Sequence, residues 1–124
     1  MTLKELYQQI GGDYDQALRV LRVEKLVDKH IRKLVKNGLI EALVNAGEAK
    51  DPTQLFETSH AVKGNCANLG LTNLSAAASE ISEEFRPGNP RCFSDEEVKE
   101  KLKQIDVMYR QAAEGITLYE KENP

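Results

Sequence analysis

Apolar residues recur every three or four positions along most of the chain, which is the spacing of helices that bury one face. The most regular run lies near the C-terminus and has seven such positions: Val98, Leu102, Ile105, Tyr109, Ala112, Ile116 and Tyr119. No segment shows the strict alternation of apolar and polar residues that is typical of strands. The pattern therefore predicts an all-α fold.

Helix-start signals delimit two helices in the middle of the chain. Asp51 can cap free backbone N–H groups and Pro52 suits the first helical position, so a helix is predicted over 52–69. Gly70 fits the residue that follows its end. A second apolar stripe predicts a helix over 71–85, which the following Pro and Gly residues would end.

Capping signals also lie near both ends of the chain. Ser94 and Glu97 form a capping box, which predicts the start of a helix over 94–120. Thr2 begins the same pattern at the N-terminus, and Asp13 is a further start signal. Two short helices are therefore expected before the main ones.

The segment 23–46 has apolar residues at roughly helical spacing and is predicted to form one long helix. Asn37-Gly38 within it is a dipeptide typical of turns and could divide it into two helices. We expect one helix because the apolar phase continues across the dipeptide, with Gly38 on the inner face. Four main helices with short connections predict a single domain over 1–124, an antiparallel up-down-up-down four-helix bundle with short additional N-terminal helices.

Composition and charge exclude several classes of protein. Of the 124 residues, 40% are hydrophobic and 30% charged, as in a soluble globular domain. The net charge of −3 argues against nucleic-acid binding, and the basic residues between Lys25 and Lys36 are interpreted as a solvated helix face. No stretch approaches the roughly 20 apolar residues of a membrane span, and no secretion signal is visible, so a cytoplasmic location without membrane attachment is expected.

One histidine lies away from the apolar stripe of the helix predicted after Asp51. That stripe consists of Leu55, Ser59, Val62, Cys66 and Leu69. Because each residue advances by about 100°, His60 falls outside the stripe and Gly64 lies nearly opposite the core. A glycine inside a helix costs about 1 kcal/mol relative to alanine, so we interpret Gly64 as clearance for a docking partner. Phe56 and Ala67 share the flank of His60.

The surroundings of His60 favour nucleophilic chemistry over metal binding. An imidazole is a nucleophile when it is unprotonated, and its ordinary pKa near 6.5 keeps it so near neutral pH. The position one turn later is Gly64, so no paired metal ligand is present. Lys63 can bring an ammonium group to the ring, which favours a negative group such as a phosphoryl group there.

The segment His60-Ala61-Val62-Lys63-Gly64 resembles the His-x-x-Lys-Gly motif of histidine-containing phosphotransfer (HPt) domains. The similarity extends through Gly70, where the family often has small residues followed by Leu-Gly. It also covers the layout of nearly the whole chain, with an Asp shortly before the motif helix, a helix hairpin and a long C-terminal helix.

The resemblance implies a phosphorelay intermediate that accepts a phosphoryl group on His60 from a receiver-domain aspartate and passes it to another receiver. Lys63 would stabilise the phosphoryl charge and Gly64 would admit the active site of the receiver. The implied partners are response-regulator receiver domains, a hybrid histidine kinase, or both. The chain would be a monomer without a cofactor, any divalent metal belonging to the receiver. Some members have a glutamine on the next helix that contacts the ring; Ser82 near that position is shorter, which leaves the ring's orientation open.

Other interpretations are available for the same residues. The chain could be a non-phosphorylated helical adaptor for receiver domains or other helical partners, although an adaptor has no use for His60. It has no Gly-rich phosphate loop and is expected to be a phosphoryl carrier without a kinase active site. Phe56 fits half-buried packing as well as docking, and His30 fits a structural role. Four small or apolar positions are assigned to helix packing and the core: Ser75, Ser79, Ser82 and Cys66. Capping at the N-terminus and a polar C-terminal tail suggest a free-standing chain.

Overall fold

A computed structural model describes all residues from 1 to 124 and contains helices without any strand. The seven helices are α1 (Leu3–Ile10), α2 (Tyr14–Leu21), α3 (Glu24–Leu34), α4 (Leu39–Glu48), α5 (Pro52–Asn68), α6 (Thr72–Phe85) and α7 (Asp95–Glu122). The all-α prediction is confirmed. The helices predicted over 52–69, 71–85 and 94–120 agree with α5, α6 and α7 to within two residues at each end.

Four helices form the bundle around the core. Helix α4 packs against α5 and α7, and α6 packs against the same two helices on the other side. Short turns join α4 to α5 and α5 to α6, so consecutive helices run in opposite directions. All seven helices contribute side chains to one continuous apolar cluster.

The N-terminal helices pack around the end of the bundle. Helix α1 lies on α7, α2 lies between α3 and α5, and α3 also touches α7. The hydroxyl of Tyr119 donates to Asp28 Oδ1 at 2.6 Å, and Arg32 donates to the carbonyl of Asn123 at 2.6 Å. These bonds attach α3 to the last turn of α7. The two short helices expected before the main ones are α1 and α2.

The prediction of one helix over 23–46 is wrong, and the alternative division at Asn37-Gly38 is the observed structure. Gly38 has a left-handed φ of 70°, which a continuing right-handed helix cannot accommodate. The Asn37 side chain accepts a hydrogen bond from the backbone N–H of Leu39, the first residue of α4, at 3.1 Å. Gly38 is exposed instead of lying on the inner face.

A buried carboxylate organises the connection between α6 and α7. Glu84 accepts hydrogen bonds from the backbone N–H groups of Cys92 and Phe93 at 3.1 and 2.9 Å, and from Arg91 Nε at 2.8 Å. Burial alone would raise the pKa of Glu84, but these donors outweigh it and hold the pKa below its ordinary value of 4.5. The loop that follows the Pro-Gly break is thereby attached to the body of α6.

Candidate functional site

The rotation of α5 about its axis is fixed by its own sequence. Asp51 Oδ1 accepts a hydrogen bond from the N–H of Gln54 at 3.1 Å, and Pro52 occupies the first turn. The residues of α5 that are buried are Leu55, Ser59, Val62 and Cys66, which are four positions of the predicted stripe. The Ser59 hydroxyl donates to the Leu55 carbonyl at 2.6 Å, so this polar group is satisfied within the core. The opposite face of the helix is therefore presented to solvent.

Contacts with three other helices hold the C-terminal half of α5. The Tyr7 hydroxyl donates to the carbonyl of Leu69 at 2.7 Å, and the Ser75 hydroxyl donates to the carbonyl of Lys63 at 3.0 Å. Gly70 has φ +71°, and a Cβ at this position would collide with the carbonyl of Asp13 at the start of α2. The segment that contains the candidate residues is thus rigidly supported.

His60 projects from this supported helix as an exposed imidazole. Its ring makes no hydrogen bond or ion pair within the chain. The ring lies beside that of Phe56, one turn earlier, at 5.6 Å between ring centroids and an interplanar angle of 25°. The structure therefore leaves both ring nitrogens of His60 available to an incoming group.

Small residues follow His60 along the exposed face. A Cβ added to Gly64 would meet no atom within 4 Å, and both Gly64 and Ala67 are exposed. Nothing in this chain requires a glycine at position 64, since its backbone is ordinary right-handed helix. The predicted placement of these residues on one open flank is what the structure shows.

Phe56 is half-buried and packs against the core cluster. The guanidinium carbon of Arg86, which follows the end of α6, lies 5.4 Å from the centroid of its ring. The interpretation of Phe56 as a packing residue therefore holds for one part of its side chain, while another part lies against His60.

Two charged residues near the site were not anticipated from the sequence. Arg86 pairs with Glu83, with Nη2 of Arg86 2.8 Å from Oε1 of Glu83. The hydrogen bond and charge of Arg86, aided by the charge of Lys63, hold the pKa of Glu83 below its ordinary value. Glu83 and Arg86 are three residues apart, a spacing at which side chains are neighbours on a helix surface. This spacing was the sequence signal from which the ion pair could have been predicted.

Lys63 is half-buried at the edge of the exposed face and forms no ion pair within 4 Å. Ser82 is fully buried in α6, and its hydroxyl has no hydrogen-bond partner, so it makes no hydrogen bond to the ring of His60. His30, the other histidine, is half-buried on α3. Burial raises the pKa of the Cys66 thiol to about 12, in keeping with its predicted place in the core.

Two surface depressions lie away from the site. One lies on α7 around Arg110 and Leu118, and another lies between α1, α6 and α7 around Ile10 and Met108. Neither includes a residue of α5.

No helix combines the length and apolar character required to cross a bilayer. No three His, Cys, Asp or Glu side chains are grouped as a metal ion would need.

Fold and site together define a helical bundle that exposes one imidazole on an open helix face. The Hpt domain family model matches residues 30–113, so the chain belongs to the Hpt domain family. No curated protein and no solved structure was found to match it. The resemblance noted at His60 to Gly64 is confirmed at the level of the family. Hpt domains are histidine phosphotransfer domains of two-component signalling, carriers of phosphoryl groups that interact with receiver domains and kinases.

Proposed function

We propose that this chain is a phosphorelay intermediate whose phosphoryl-accepting residue is His60. It takes the phosphoryl group from the phosphorylated aspartate of one response-regulator receiver domain and passes it to the aspartate of another. The observation that carries the proposal is the exposed imidazole of His60, free of hydrogen bonds, on a helix face that Gly64 leaves open. His30 is half-buried, which makes it the poorer acceptor of the two histidines.

The transfer is a displacement at phosphorus. An unprotonated ring nitrogen of His60 attacks the phosphorus atom, the bond between phosphorus and the aspartyl oxygen breaks, and the aspartate leaves as a carboxylate. The other ring nitrogen keeps its proton. Transfer to the next receiver is the same step in reverse, so the chain is recovered unchanged and acts as a carrier.

Lys63 stabilises the phosphoryl group on His60. Lys63 is half-buried and follows His60 by three residues on the same helix, a spacing at which residues are surface neighbours. It forms no ion pair within 4 Å, so it is available to an anionic group, and the nearby carboxylate of Glu83 is already paired with Arg86. A charge-assisted hydrogen bond to phosphate is stronger than a neutral one.

Gly64 and Ala67 allow the active site of the receiver to approach the ring. Both are exposed, and the missing side chain of Gly64 would project into open space. The receiver supplies the divalent metal and the aspartate, and this chain supplies the imidazole and the cation. A hybrid histidine kinase carrying such a receiver is the corresponding upstream partner. In this proposal the chain acts as a cytoplasmic monomer.

The test is incubation with phosphorylated receiver domains. The wild-type chain should acquire a phosphoryl group that is labile in acid and stable in base, as a phosphohistidine is. His60→Gln should not acquire it, whereas His30→Gln should behave as the wild type. Labelling of His60→Gln, or labelling lost in His30→Gln, would contradict the assignment. Binding of receivers without transfer would instead favour a non-phosphorylated adaptor.

A further inference from the structure

We propose that Phe56 and Arg86 position the imidazole ring of His60 for phosphoryl transfer, with Glu83 holding Arg86 in place. This inference rests on the proposed function and concerns how the exposed ring is kept in a productive orientation. It assigns Phe56 a role in the chemical step and not merely in the docking of a partner.

His60 needs such support because no hydrogen bond or ion pair within the chain holds its ring. The side chain is exposed and forms no hydrogen bond, so free rotation of the imidazole would have to be lost at each transfer. Ser82, the position considered for a polar contact, is fully buried and its hydroxyl has no partner. An aromatic face therefore replaces a hydrogen bond as the support.

Phe56 provides a fixed platform one turn before His60. The two rings lie 25° from parallel with centroids 5.6 Å apart, which is a stacked arrangement. Phe56 is half-buried and packed against the core, so its ring is less mobile than an exposed one. The stack limits the directions in which the imidazole can turn.

Arg86 holds the platform from the end of α6. Its guanidinium carbon is 5.4 Å from the centroid of the Phe56 ring, within the range of a cation–π contact. Glu83 accepts from Arg86 Nη2 at 2.8 Å and from Nε at 3.2 Å, so the guanidinium group is held in a two-point contact. The side-chain amide of Asn89 donates to the carbonyl of Glu83 at 3.0 Å, which closes the loop onto α6.

The contacts thus form a connected series from α6 to the reacting ring: Glu83, Arg86, Phe56 and His60. Misplacement of a reacting group by about 1 Å can cost about 100-fold in rate, so even a partial loss of this series should be measurable. The predicted signature is a lower rate of the chemical step with little change in receiver binding.

The experiment compares Phe56→Ala, Phe56→Tyr, Arg86→Ala and Lys101→Ala. Lys101 is the matched control because its ammonium group also lies over an aromatic ring, that of Phe93, and pairs with a carboxylate, that of Glu80. Initial transfer rates are measured against receiver concentration. NMR relaxation of the His60 ring in the unphosphorylated chain reports its mobility without any receiver, and thermal unfolding confirms that each variant is folded.

We expect Phe56→Ala to lower the saturating transfer rate about tenfold, within the range known for misoriented groups, with less than about a twofold change in the half-saturating receiver concentration. Phe56→Tyr should keep the wild-type rate because its ring stacks equally well. The rate of Arg86→Ala should lie between those of the wild type and Phe56→Ala, and Lys101→Ala should match the wild type. The His60 ring should become more mobile in Phe56→Ala and Arg86→Ala.

A higher half-saturating concentration with an unchanged saturating rate would make Phe56 a docking contact and overturn the inference. Unchanged mobility of the His60 ring in the two alanine variants would also overturn it. Failure of the proposed function has a different signature, because the wild-type chain itself would then accept no phosphoryl group. The NMR comparison still tests the stacking in that case. Should Phe56→Ala not fold, the surface variant Arg86→Ala supplies both readouts.

Discussion

Gly64 and Gly38 are both exposed glycines at which an added Cβ would meet no atom within 4 Å, yet their backbones differ. Gly64 has the right-handed conformation of α5, which every L-residue adopts without strain. Gly38 has φ +70°, a conformation that costs a residue with a Cβ about 1–2 kcal/mol. The backbone at position 38 therefore favours glycine, whereas the backbone at position 64 does not.

Alanine at each position should change stability in opposite directions. Gly64→Ala should raise the free energy of unfolding by about 1 kcal/mol, the difference in helix propensity. Gly38→Ala should lower it by about 1 kcal/mol because of its left-handed backbone. Urea denaturation monitored by circular dichroism measures both. Destabilisation by Gly64→Ala would show that position 64 has a structural requirement for glycine.

A larger side chain at position 64 should impair transfer while the fold is retained. Gly64→Gln places a flexible side chain one turn from His60, where the receiver must approach. We expect the half-saturating receiver concentration to rise about tenfold, which corresponds to 1.4 kcal/mol of binding. Transfer assays with Gly64→Ala as the smaller step measure the trend. Transfer by Gly64→Gln at the wild-type level would contradict the clearance role.

At this scale the sequence predicted which candidate residues are exposed, because helical phase alone decides which face of a helix a side chain lies on. The stripe that includes Val62 and Cys66 is buried, and this fixes His60 and Gly64 on the exposed side. Helical phase did not reveal that Phe56 both packs on the core and stacks on His60, because this double contact depends on the orientation of the Phe56 ring. Whether Lys63 binds a phosphoryl group stays a prediction.

Among the elements, the prediction succeeded where a helix carries its own start signal. Asp51 and Ser94 each accept a hydrogen bond from the first turn of the helix that they precede, as capping residues do. The prediction over 23–46 failed because apolar phase does not reveal a local break. Helices α3 and α4 both bury apolar residues in the same core, so the spacing continues although the backbone turns at Gly38.

The loop between α6 and α7 gives the fold a defined pH dependence. The pKa of Glu84 is lower in the folded chain than its ordinary value of 4.5, so the ionised carboxylate stabilises the fold above that pH. This contribution is lost as the pH falls through the lowered, folded-state pKa.

Replacement of the Glu84 carboxylate should reproduce that loss at neutral pH. Glu84→Gln should lower the free energy of unfolding at pH 7 by about 2 kcal/mol, as expected for hydrogen bonds to a charged group. The difference from the wild type should shrink below the folded-state pKa, where the wild-type carboxylate is protonated. Urea denaturation at a series of pH values from 7 downward measures it, with the exposed Glu100→Gln as control. A difference that does not change with pH would refute the assignment to charge.

For the whole molecule, the decisive contacts join positions far apart in sequence. Tyr7 donates to the Leu69 carbonyl across 62 positions, and Arg86, which follows the end of α6, lies over the ring of Phe56 in α5. Spacing along one helix cannot predict such pairs, because they depend on how the helices are set against one another. The bundle itself was predictable from the number of amphipathic helices and their short connections.

The arrangement of the whole molecule also explains why the proposed function needs a second protein. The bundle interior is packed, the exposed face of α5 is open, and the candidate chemistry consists of one imidazole and one cation. Membership of the Hpt domain family gives this arrangement its place in two-component signalling. The central claim is that the phosphoryl group passes through His60.

The most direct measurement is transfer between two receiver domains in the presence of a small, substoichiometric amount of this chain. One receiver is phosphorylated and labelled, the other is not, and the label on each is followed over time. The account predicts many turnovers per molecule with the wild type and with His30→Gln, and none with His60→Gln. Equal transfer by the wild type and His60→Gln, or none by the wild type with any receiver of its own organism, would contradict it.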